Sequence, residues 1–365
     1  FVEILDDSGS WSLISSNSSS FNDDNFFEIS TLGETIPGAV AHLIVNVETE
    51  DGYISNSIVE VQIGEPTVND PVGPDSYGYY IYDSEDIDYL LAPTYDWVEI
   101  DDREGGPGDH LSSLTDSGNN QDDVSTINIP FNFKFYGQEY DQISISSNGW
   151  IAMGETDLES FRNYQMPGAG GPAKMIAVFW DDLKLSNGGR VYTWHDEIEK
   201  KFYVEWSGAR TYQNNSVETF QAVLYDPSYY VTPTGDGEIL LQYETFNNTS
   251  YGSYSWDQIH GLYCSVGIED HTMTRGLQYT FNDTYHPAAM ELNDGKALFI
   301  TTRGSEMRLE GDLNYDEKVD IYDLMLLVDF NLGFDGQVNP YFGDINEDGM
   351  VNVMDLIALI QMIMG

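Results

Sequence analysis

The feature that most constrains this chain is a twelve-residue pattern that occurs twice near its C-terminal end. The first copy begins at position 312 and the second begins 32 residues later, at position 344. Side-chain oxygens recur at positions 1, 3, 5, 9 and 12 of each copy: Asp312, Asn314, Asp316, Asp320 and Asp323, then Asp344, Asn346, Asp348, Asn352 and Asp355. A polar pattern repeated at a fixed offset predicts two copies of one unit with the same ligand chemistry.

The spacing of these oxygens predicts two calcium loops of the EF-hand type. Calcium takes about six to eight oxygen ligands in flexible geometry, and such a loop uses a backbone carbonyl at position 7. Position 7 is Lys318 in the first loop and Met350 in the second. Glu317 stands where the second loop has Gly349, and a non-glycine residue in the left-handed conformation costs about 1–2 kcal/mol. We therefore predict two calcium ions, the first in a distorted or weaker site.

Calcium binding and folding are expected to be coupled in this segment. The first loop brings four aspartates, Asp312, Asp316, Asp320 and Asp323, into twelve residues. Like charges at this separation repel one another, and a bound cation relieves that repulsion.

The duplicated loops resemble a type I dockerin, because position 12 is Asp and a helix follows each loop without one preceding it. The resemblance implies calcium binding and docking onto cohesin modules. Cellulosomal dockerins carry a Ser-Thr pair at loop positions 10 and 11, whereas this chain has Ile321-Tyr322 and Val353-Met354. The resemblance therefore implies the fold and the metal but not the choice of partner.

Two predicted helices follow the loops and are strongly apolar. The first covers residues 323–332 and stops at Gly333, and the second, Val353–Met364, has only Asp355 and Gln361 as polar residues. Such a helix must be buried on nearly all sides, and it is too short to span a bilayer. The remaining apolar surface predicts a protein partner: a cohesin-like receptor, the neighbouring domain, or another copy of this chain in a homo-polymer.

The rest of the chain is predicted to be mainly β. Alternating residues at 41–47 and 58–63 around the turn at 50–52 predict a hairpin. An immunoglobulin-like sandwich usually needs about 100 residues, so residues 1–64 are interpreted as a partial immunoglobulin-like domain. A Pro-rich linker spans 64–76, a β-sandwich domain spans 65–304, and the small α-helical dockerin-like domain spans 305–365.

Several stretches of the middle domain resemble an extracellular nidogen-like β-sandwich: 143–151, 174–182, 189–193, 202–206, 218–224, 237–243 and 265–268. Their serial order is similar to that of modules in C-terminal regions of large secreted bacterial, gingipain-like peptidases and of surface proteins. The resemblance implies adhesion or scaffolding without chemistry.

Hydrophobic patterning gives more detailed expectations for this domain. The continuous apolar run at 176–180 predicts a central core strand, and alternation at 204–206 and 220–224 predicts half-buried strands. Trp150, Trp180 and Trp206 are predicted to be core residues rather than a sugar-stacking platform. The lone cysteine, Cys264, forms no internal disulfide and is predicted to be buried in a strand.

Charge excludes whole classes of partner. The chain has 14 Lys and Arg against 62 Asp and Glu, a net charge of −48, which argues against nucleic acid and anionic membranes. A hydrophobic content of 41% excludes a disordered acidic tail. Neither a signal peptide nor a transmembrane run is present, and the first residues resemble a strand, so we expect a mature piece of a longer protein.

Catalytic motifs are missing from the sequence. It contains no HExxH pair, nucleophile elbow or P-loop, and its histidines are scattered at positions 42, 110, 195, 260, 271 and 286. We therefore expect no enzyme activity. An acidic cluster at 70–88 comprises Asp70, Asp75, Asp83, Glu85, Asp86 and Asp88. It is either a solvated face or a further calcium site in the β domain.

These observations predict a secreted, extracellular or cell-surface protein of bacterial type. Its function is that of a non-catalytic calcium-binding scaffold or attachment module whose tail mediates protein assembly. Three alternatives stay open: a self-assembling subunit of a filament, sheath or surface layer; a carbohydrate-binding module; and an accessory C-terminal region of a secreted peptidase.

Overall fold

The chain folds into two compact units, one of residues 1–86 with 92–304 and one of residues 87–91 with 305–365. The structure is a computed structural model that describes residues 2–22, 25–31, 35–118, 121–250, 263–304, 311, 313–314, 318–334, 343, 345–346 and 350–364.

The described strands of the first unit are short and follow one another through turns. In chain order they are β1 (Val2–Asp6), β2 (Glu28–Thr31), β3 (Val40–Glu48), β4 (Ile54–Gln62), β5 (Tyr80–Asp83), β6 (Asp109–His110), β7 (Val124–Phe135), β8 (Gln138–Ser146), β9 (Trp150–Met153), β10 (Met175–Trp180), β11 (Leu183–Lys184), β12 (Arg190–Asp196), β13 (Lys201–Thr211), β14 (Val217–Tyr225), β15 (Ile239–Thr245), β16 (Ser265–Glu269), β17 (Gly276–Phe281), β18 (Thr284–Tyr285) and β19 (Lys296–Thr301).

Two antiparallel sheets form the main body of this unit. One has the order β18-β17-β16-β10-β9-β8-β7, and the other has the order β5-β19-β15-β14-β13-β12-β6, with β11 paired to β13. A single buried cluster includes Val178 and Ile145 from the first sheet and Val204 and Leu241 from the second. The prediction of a mainly β protein with a sandwich is confirmed.

The core strand predicted from the apolar run is β10. All six of its residues are buried, and it lies between β9 and β16. Trp150, Trp180 and Trp206 are buried, which confirms their prediction as core residues and excludes these three as a sugar-stacking surface. Cys264 is also buried.

The prediction of half-buried strands at 204–206 and 220–224 is wrong, because both faces of β13 and β14 are buried there. The outward polar side chains hold an extended segment, residues 96–100, against the sheet. Gln242 exchanges two hydrogen bonds with the backbone of Asp96, at 2.8 and 3.0 Å. Gln221 donates to the Val98 carbonyl at 3.1 Å, and Glu205 accepts from the Ile100 N–H at 3.2 Å.

The described residues between positions 2 and 62 include two two-stranded ribbons, β1 with β2 and β3 with β4. The β3–β4 hairpin confirms the predicted turn, where the Gly52 N–H donates to the Thr49 carbonyl at 2.8 Å. Large apolar side chains are exposed on these ribbons and their connections, among them Leu13, Phe21, Ile44 and Ile58. The assignment of residues 1–64 to a partial immunoglobulin-like domain stays a prediction.

The second unit contains two described helices, α1 (Ile321–Asn331) and α2 (Val353–Met364). Helix α1 ends at Asn331, two residues before the predicted stop at Gly333, which has φ +72°. The Gly333 N–H donates to the Phe330 carbonyl and the Phe334 N–H donates to the Asp329 carbonyl, both at 3.0 Å. This pair of hydrogen bonds is a Schellman motif, which satisfies backbone carbonyls that have no partner within the helix.

Candidate functional site

The last residue of the first predicted loop ties the loop to the start of α1. Asp323 is fully buried, and its Oδ1 accepts from the backbone N–H groups of Leu313 at 2.8 Å and Asn314 at 3.1 Å. Its Oδ2 accepts from the N–H of Asp320 at 2.8 Å, while Asp320 Oδ1 accepts from the N–H of Tyr322 at 2.8 Å. This reciprocal arrangement is a capping box. It closes the loop by joining its beginning to its end.

The second loop repeats this geometry 32 residues later. Asp355 is fully buried, with Oδ1 accepting from Asn346 N–H at 3.1 Å and Oδ2 from Asn352 N–H at 2.7 Å. Asn352 Oδ1 accepts from the N–H of Met354 at 2.8 Å. Because matching atoms make matching bonds in both copies, the repeat in sequence is also a repeat in structure.

Backbone hydrogen bonds thus connect part of each predicted ligand set. Asp323 accepts from the N–H groups of Asn314 and Asp320 in the first loop, and Asp355 accepts from those of Asn346 and Asn352 in the second. The carbonyl at position 7 of the second loop, on Met350, accepts from Asn352 Nδ2 at 3.1 Å. The Lys318 side chain is exposed, so the predicted ligand at this position is the backbone carbonyl and not the side chain. The remaining predicted ligands, Asp312, Asp316, Asp344 and Asp348, and the turn residues Glu317 and Gly349 lie outside the described residues.

A small core lies between the two loop–helix repeats. Its buried members are Leu313, Leu327, Ile345 and Leu359, which form two pairs of residues 32 apart. Val319 and Val351 pack against it at the same offset. Each repeat thus supplies one loop residue and one helix residue to a shared core.

On each helix, the side turned away from this small core is exposed and apolar. Ile321 and Val353 are 55% and 61% exposed, although apolar side chains of this size are normally buried. The same offset relates further exposed pairs: Tyr322 with Met354, Met325 with Ile357, and Leu332 with Met364. We call these four pairs the apolar helix face. Met325 and Ile357 were not singled out from the sequence, although extending the 32-residue offset beyond the loops would have found them.

Nothing in the described part of the chain resembles a catalytic centre. It holds no group of three or more His, Cys, Asp or Glu side chains that could hold a metal ion. Burial raises the pKa of the Cys264 thiol well above its ordinary value, so this thiol is a poor nucleophile. His42 and His271 pair with Glu60 and Asp270 at 3.6 and 3.9 Å, and His260 lies outside the described residues.

The acidic cluster at 70–88 is only in part the solvated face that was one of the two expectations, because Glu85 is exposed whereas two other members are not. Asp83 and Asp86 are buried. Asp83 Oδ2 accepts from the Tyr279 hydroxyl at 2.7 Å and the Met290 N–H at 3.1 Å. Burial, followed by the charge of Asp83, raises the pKa of Asp86 to about 9. These two residues hold a turn inside the protein, and the calcium alternative for this cluster stays a prediction.

No helix within the described ranges is long and apolar enough to cross a membrane.

Comparison with known families agrees with this architecture. Residues 106–298 match the NIDO-related domain and residues 310–364 match the dockerin type I domain. No curated protein and no solved structure gives a match. Both domains are non-catalytic types, and dockerin type I domains bind calcium and dock onto cohesins. Because the first match spans more than half of the chain, the chain belongs to the NIDO-related family and carries a dockerin type I domain at its C-terminal end.

Proposed function

We propose that this protein is a non-catalytic, extracellular or cell-surface attachment module. In this proposal the dockerin unit binds two calcium ions and docks onto a separate, cohesin-like protein through the apolar helix face. The observation that carries the proposal is the pairing of exposed apolar residues at a 32-residue offset, such as Ile321 with Val353. Two equivalent apolar patches on a small acidic unit favour a partner with a complementary apolar surface.

The two ions would be held by the repeated oxygen sets of the loops. We assign the first to Asp312, Asn314, Asp316, the Lys318 carbonyl, Asp320 and Asp323. The second is assigned to Asp344, Asn346, Asp348, the Met350 carbonyl, Asn352 and Asp355. Supporting this assignment, Asp323 and Asp355 each accept backbone N–H groups in the same way. A carboxylate has about four lone-pair sites, which leaves capacity for a metal.

A calcium-dependent binding measurement tests the proposal. The probe is a purified type I cohesin module, immobilised and exposed to the full chain in calcium and then in excess chelator. We expect binding in calcium that is lost in chelator and lost in the double variant Ile321→Ser with Val353→Ser. Leu13→Ser, which removes an exposed apolar side chain elsewhere, is the matched control. Binding that survives chelation, or that the double variant retains, contradicts the proposal.

A second candidate, self-assembly into a filament or surface layer, is favoured by the exposed apolar residues of the N-terminal ribbons. Ile44 and Ile58 are both 69% exposed and lie opposite each other in the β3–β4 register. Exposed ribbon edges can accept further strands. Light scattering of the intact chain in calcium and in chelator separates the two candidates. A monomer in both conditions supports docking to a different protein. Large particles that form only in calcium would instead support self-assembly as the function.

A further inference from the structure

Part of the connection between β9 and β10 covers one outer face of the sandwich. We call residues 160–171 of this connection the strap. Side chains of β9 alternate between two clusters: Ile151 belongs to the main core, whereas Trp150 belongs to a separate buried cluster that also contains Trp180 of β10 and Met166 of the strap. The strap therefore packs on the face of the first sheet that is turned away from the main core.

The backbone of the strap lies directly on the two tryptophans. The indole N–H groups of Trp150 and Trp180 both donate to the Ser160 carbonyl, at 2.8 and 3.0 Å. At Gly171 an added Cβ would meet the Trp180 ring at 2.9 Å and the Met175 side chain at 3.1 Å. This close approach leaves no room for a side chain at position 171.

Side chains attach the strap to the sheet. The Met166 N–H donates to Gln278 Oε1 at 3.0 Å, and the Gly168 N–H donates to Glu269 Oε2 at 2.8 Å. The anchoring side chains are those of Trp150, Trp180, Asn163, Ser265, Gln278 and Glu269. Within the described ranges, no hydrogen bond between two backbone groups joins residues 160–171 to a strand. The strap can therefore detach without breaking a strand ladder.

Glu269 is the one anchor that can gain a charge inside the protein. It is the last residue of β16 and is fully buried. Its Oε2 accepts from Gly168, while its Oε1 is buried and has no hydrogen-bond partner among the described residues. Burial disfavours the charged form of a carboxyl group. It raises the pKa of Glu269 from an ordinary 4.5 to about 7, although the Gly168 N–H opposes this rise.

Neighbouring charges do not offset the burial of Glu269. Asp270 follows it in the chain, and its charge raises the pKa of Glu269 further. The basic residues on the elements around Glu269 are Lys174, Arg275, His271 and Arg162. Two of them donate to Asp270 through their backbone N–H groups, Lys174 at 3.1 Å and Arg275 at 3.3 Å. His271 lies 3.9 Å from the Asp270 carboxylate, and Arg162 acts on Asp182. In the described part of the chain, none of these four forms an ion pair with Glu269.

We propose that the strap is a pH-sensitive lid that opens when Glu269 loses its proton. Ionisation places a negative charge in a buried site where one carboxylate oxygen has no donor, and release of Gly168 lets water reach that oxygen. The pKa of Glu269 is raised on closure, so the stabilisation of the closed strap is present below pH 4.5 and is lost as the pH rises through about 7. Opening uncovers the two tryptophans. This device lies outside the dockerin unit and does not depend on the proposed function.

Hydrogen exchange of the full chain, followed by mass spectrometry from about pH 5 to 9, tests the lid. Each rate is divided by the intrinsic exchange rate at the same pH. We expect the protection of amides 160–171 to be constant at low pH and then to fall by up to about tenfold per pH unit. Amides of β10 and β14 should keep their protection, which distinguishes opening of the strap from unfolding of the sandwich. Strap protection that does not fall with pH overturns the proposal.

Glu269→Gln identifies the group that titrates. Its side-chain oxygen can still accept from the Gly168 N–H, but the side chain cannot ionise, so strap protection should become independent of pH. The matched control is Asp157→Asn, which removes an exposed carboxylate in the same connection and should keep the pH dependence of the unmodified chain. An equal fall in protection in Glu269→Gln and in the unmodified chain overturns the proposal.

Gly171→Ala opens the strap without changing a charge. The added Cβ would press on the Trp180 ring, so strap protection should be low even at about pH 5, where the unmodified strap is closed. Acrylamide should also quench tryptophan fluorescence more strongly in this variant than in the unmodified chain at that pH. Equal quenching in the two proteins would show that the strap does not act as a lid over the tryptophans, and this also overturns the proposal.

Discussion

The sandwich and the dockerin unit are stabilised in different ways. The sandwich buries large aromatic side chains such as Trp206, Phe220 and Phe179 in a continuous core, and each contributes on the order of 150–250 Å² of buried surface. In the dockerin unit the buried cluster comprises Leu313, Leu327, Ile345 and Leu359. Domains below roughly 70–80 residues usually need a disulfide, a metal or a partner. The sandwich has a large hydrophobic core of its own, and we therefore expect that the smaller dockerin unit, unlike the sandwich, depends on bound calcium for its stability.

Buried carboxylates of the two units differ in how completely their oxygens are hydrogen-bonded. In the dockerin unit Asp323 and Asp355 are buried to hold backbone N–H groups of their own loops. In the sandwich Glu205 is buried with one oxygen lacking a hydrogen-bond partner among the described residues, and burial followed by the charge of Glu99 raises its pKa to about 9. Glu205 therefore retains, between about pH 4.5 and 9, a proton that it releases in the unfolded chain.

The largest expected effect comes from removing the first ligand of both loops. Asp312→Ala with Asp344→Ala should unfold the dockerin unit completely, because the remaining carboxylates then repel without two bound ions. Far-ultraviolet circular dichroism should lose its helical signal, while the near-ultraviolet signal of the buried tryptophans stays unchanged.

The control for this double variant is Asp329→Ala, which removes an exposed carboxylate on α1 outside both loops. It should leave the helical signal intact. Retained helical dichroism and unchanged proteolysis of the tail in the double variant would show that the unit does not depend on calcium.

A smaller effect is expected from replacing Glu205, which should change how the free energy of unfolding of the sandwich depends on pH. The pKa of Glu205 rises from an ordinary 4.5 to about 9 on folding, so between these values the native state holds one proton more than the unfolded state. Stability contributed by this proton is present at low pH and is lost as the pH rises toward 9. The slope is at most about 1.4 kcal/mol per pH unit.

Glu205→Gln removes this slope while keeping an oxygen to accept from the Ile100 N–H. Urea unfolding of the sandwich at several values between about pH 5 and 9 should therefore show a flatter dependence in the variant. Glu197→Gln, at an exposed turn, is the control. Parallel curves for the Glu205 variant and the unmodified chain would mean that Glu205 is ionised in the folded protein.

The smallest effect comes from two matched glycine substitutions. Gly333 and Gly208 both have positive φ, +72° and +62°, and an added Cβ would meet no atom at either position. Alanine in this conformation costs about 1–2 kcal/mol. Gly333→Ala should destabilise the dockerin unit alone, and Gly208→Ala should destabilise the sandwich alone. Calorimetry in which both transitions shift with either variant would show that the units unfold together.

Local features of the fold could be predicted from the sequence. The end of α1 near Gly333, the β3–β4 turn and the buried run of β10 each depend on residues close together in the chain. The ligand spacing of the loops is local too: the backbone N–H groups at positions 3 and 9 of each loop donate to the carboxylate at position 12, while the ligand set itself stays a prediction. Residue patterning therefore carries this information directly.

Contacts between segments that are distant in the chain could not be predicted from the sequence. The cover over β13 and β14 depends on Gln221 and Gln242 meeting a segment more than a hundred residues away, and no local pattern encodes that distance. The burial of Asp86 and Asp182 could not be predicted either, because acidic residues are rarely buried and their burial here depends on contacts distant in the sequence. One local signal was present: Asp181 and Asp182 directly follow a strand that is apolar throughout, so the chain is still inside the protein there.

Hydrogen exchange of the intact chain, measured by mass spectrometry in calcium and in excess chelator, tests the central contrast most directly. We expect the amides of α1 and α2 to lose their protection in chelator, while those of β10, β13 and β14 keep theirs. Equal protection of α1 and α2 in both conditions would contradict it, because the dockerin unit would then be stable without its ions.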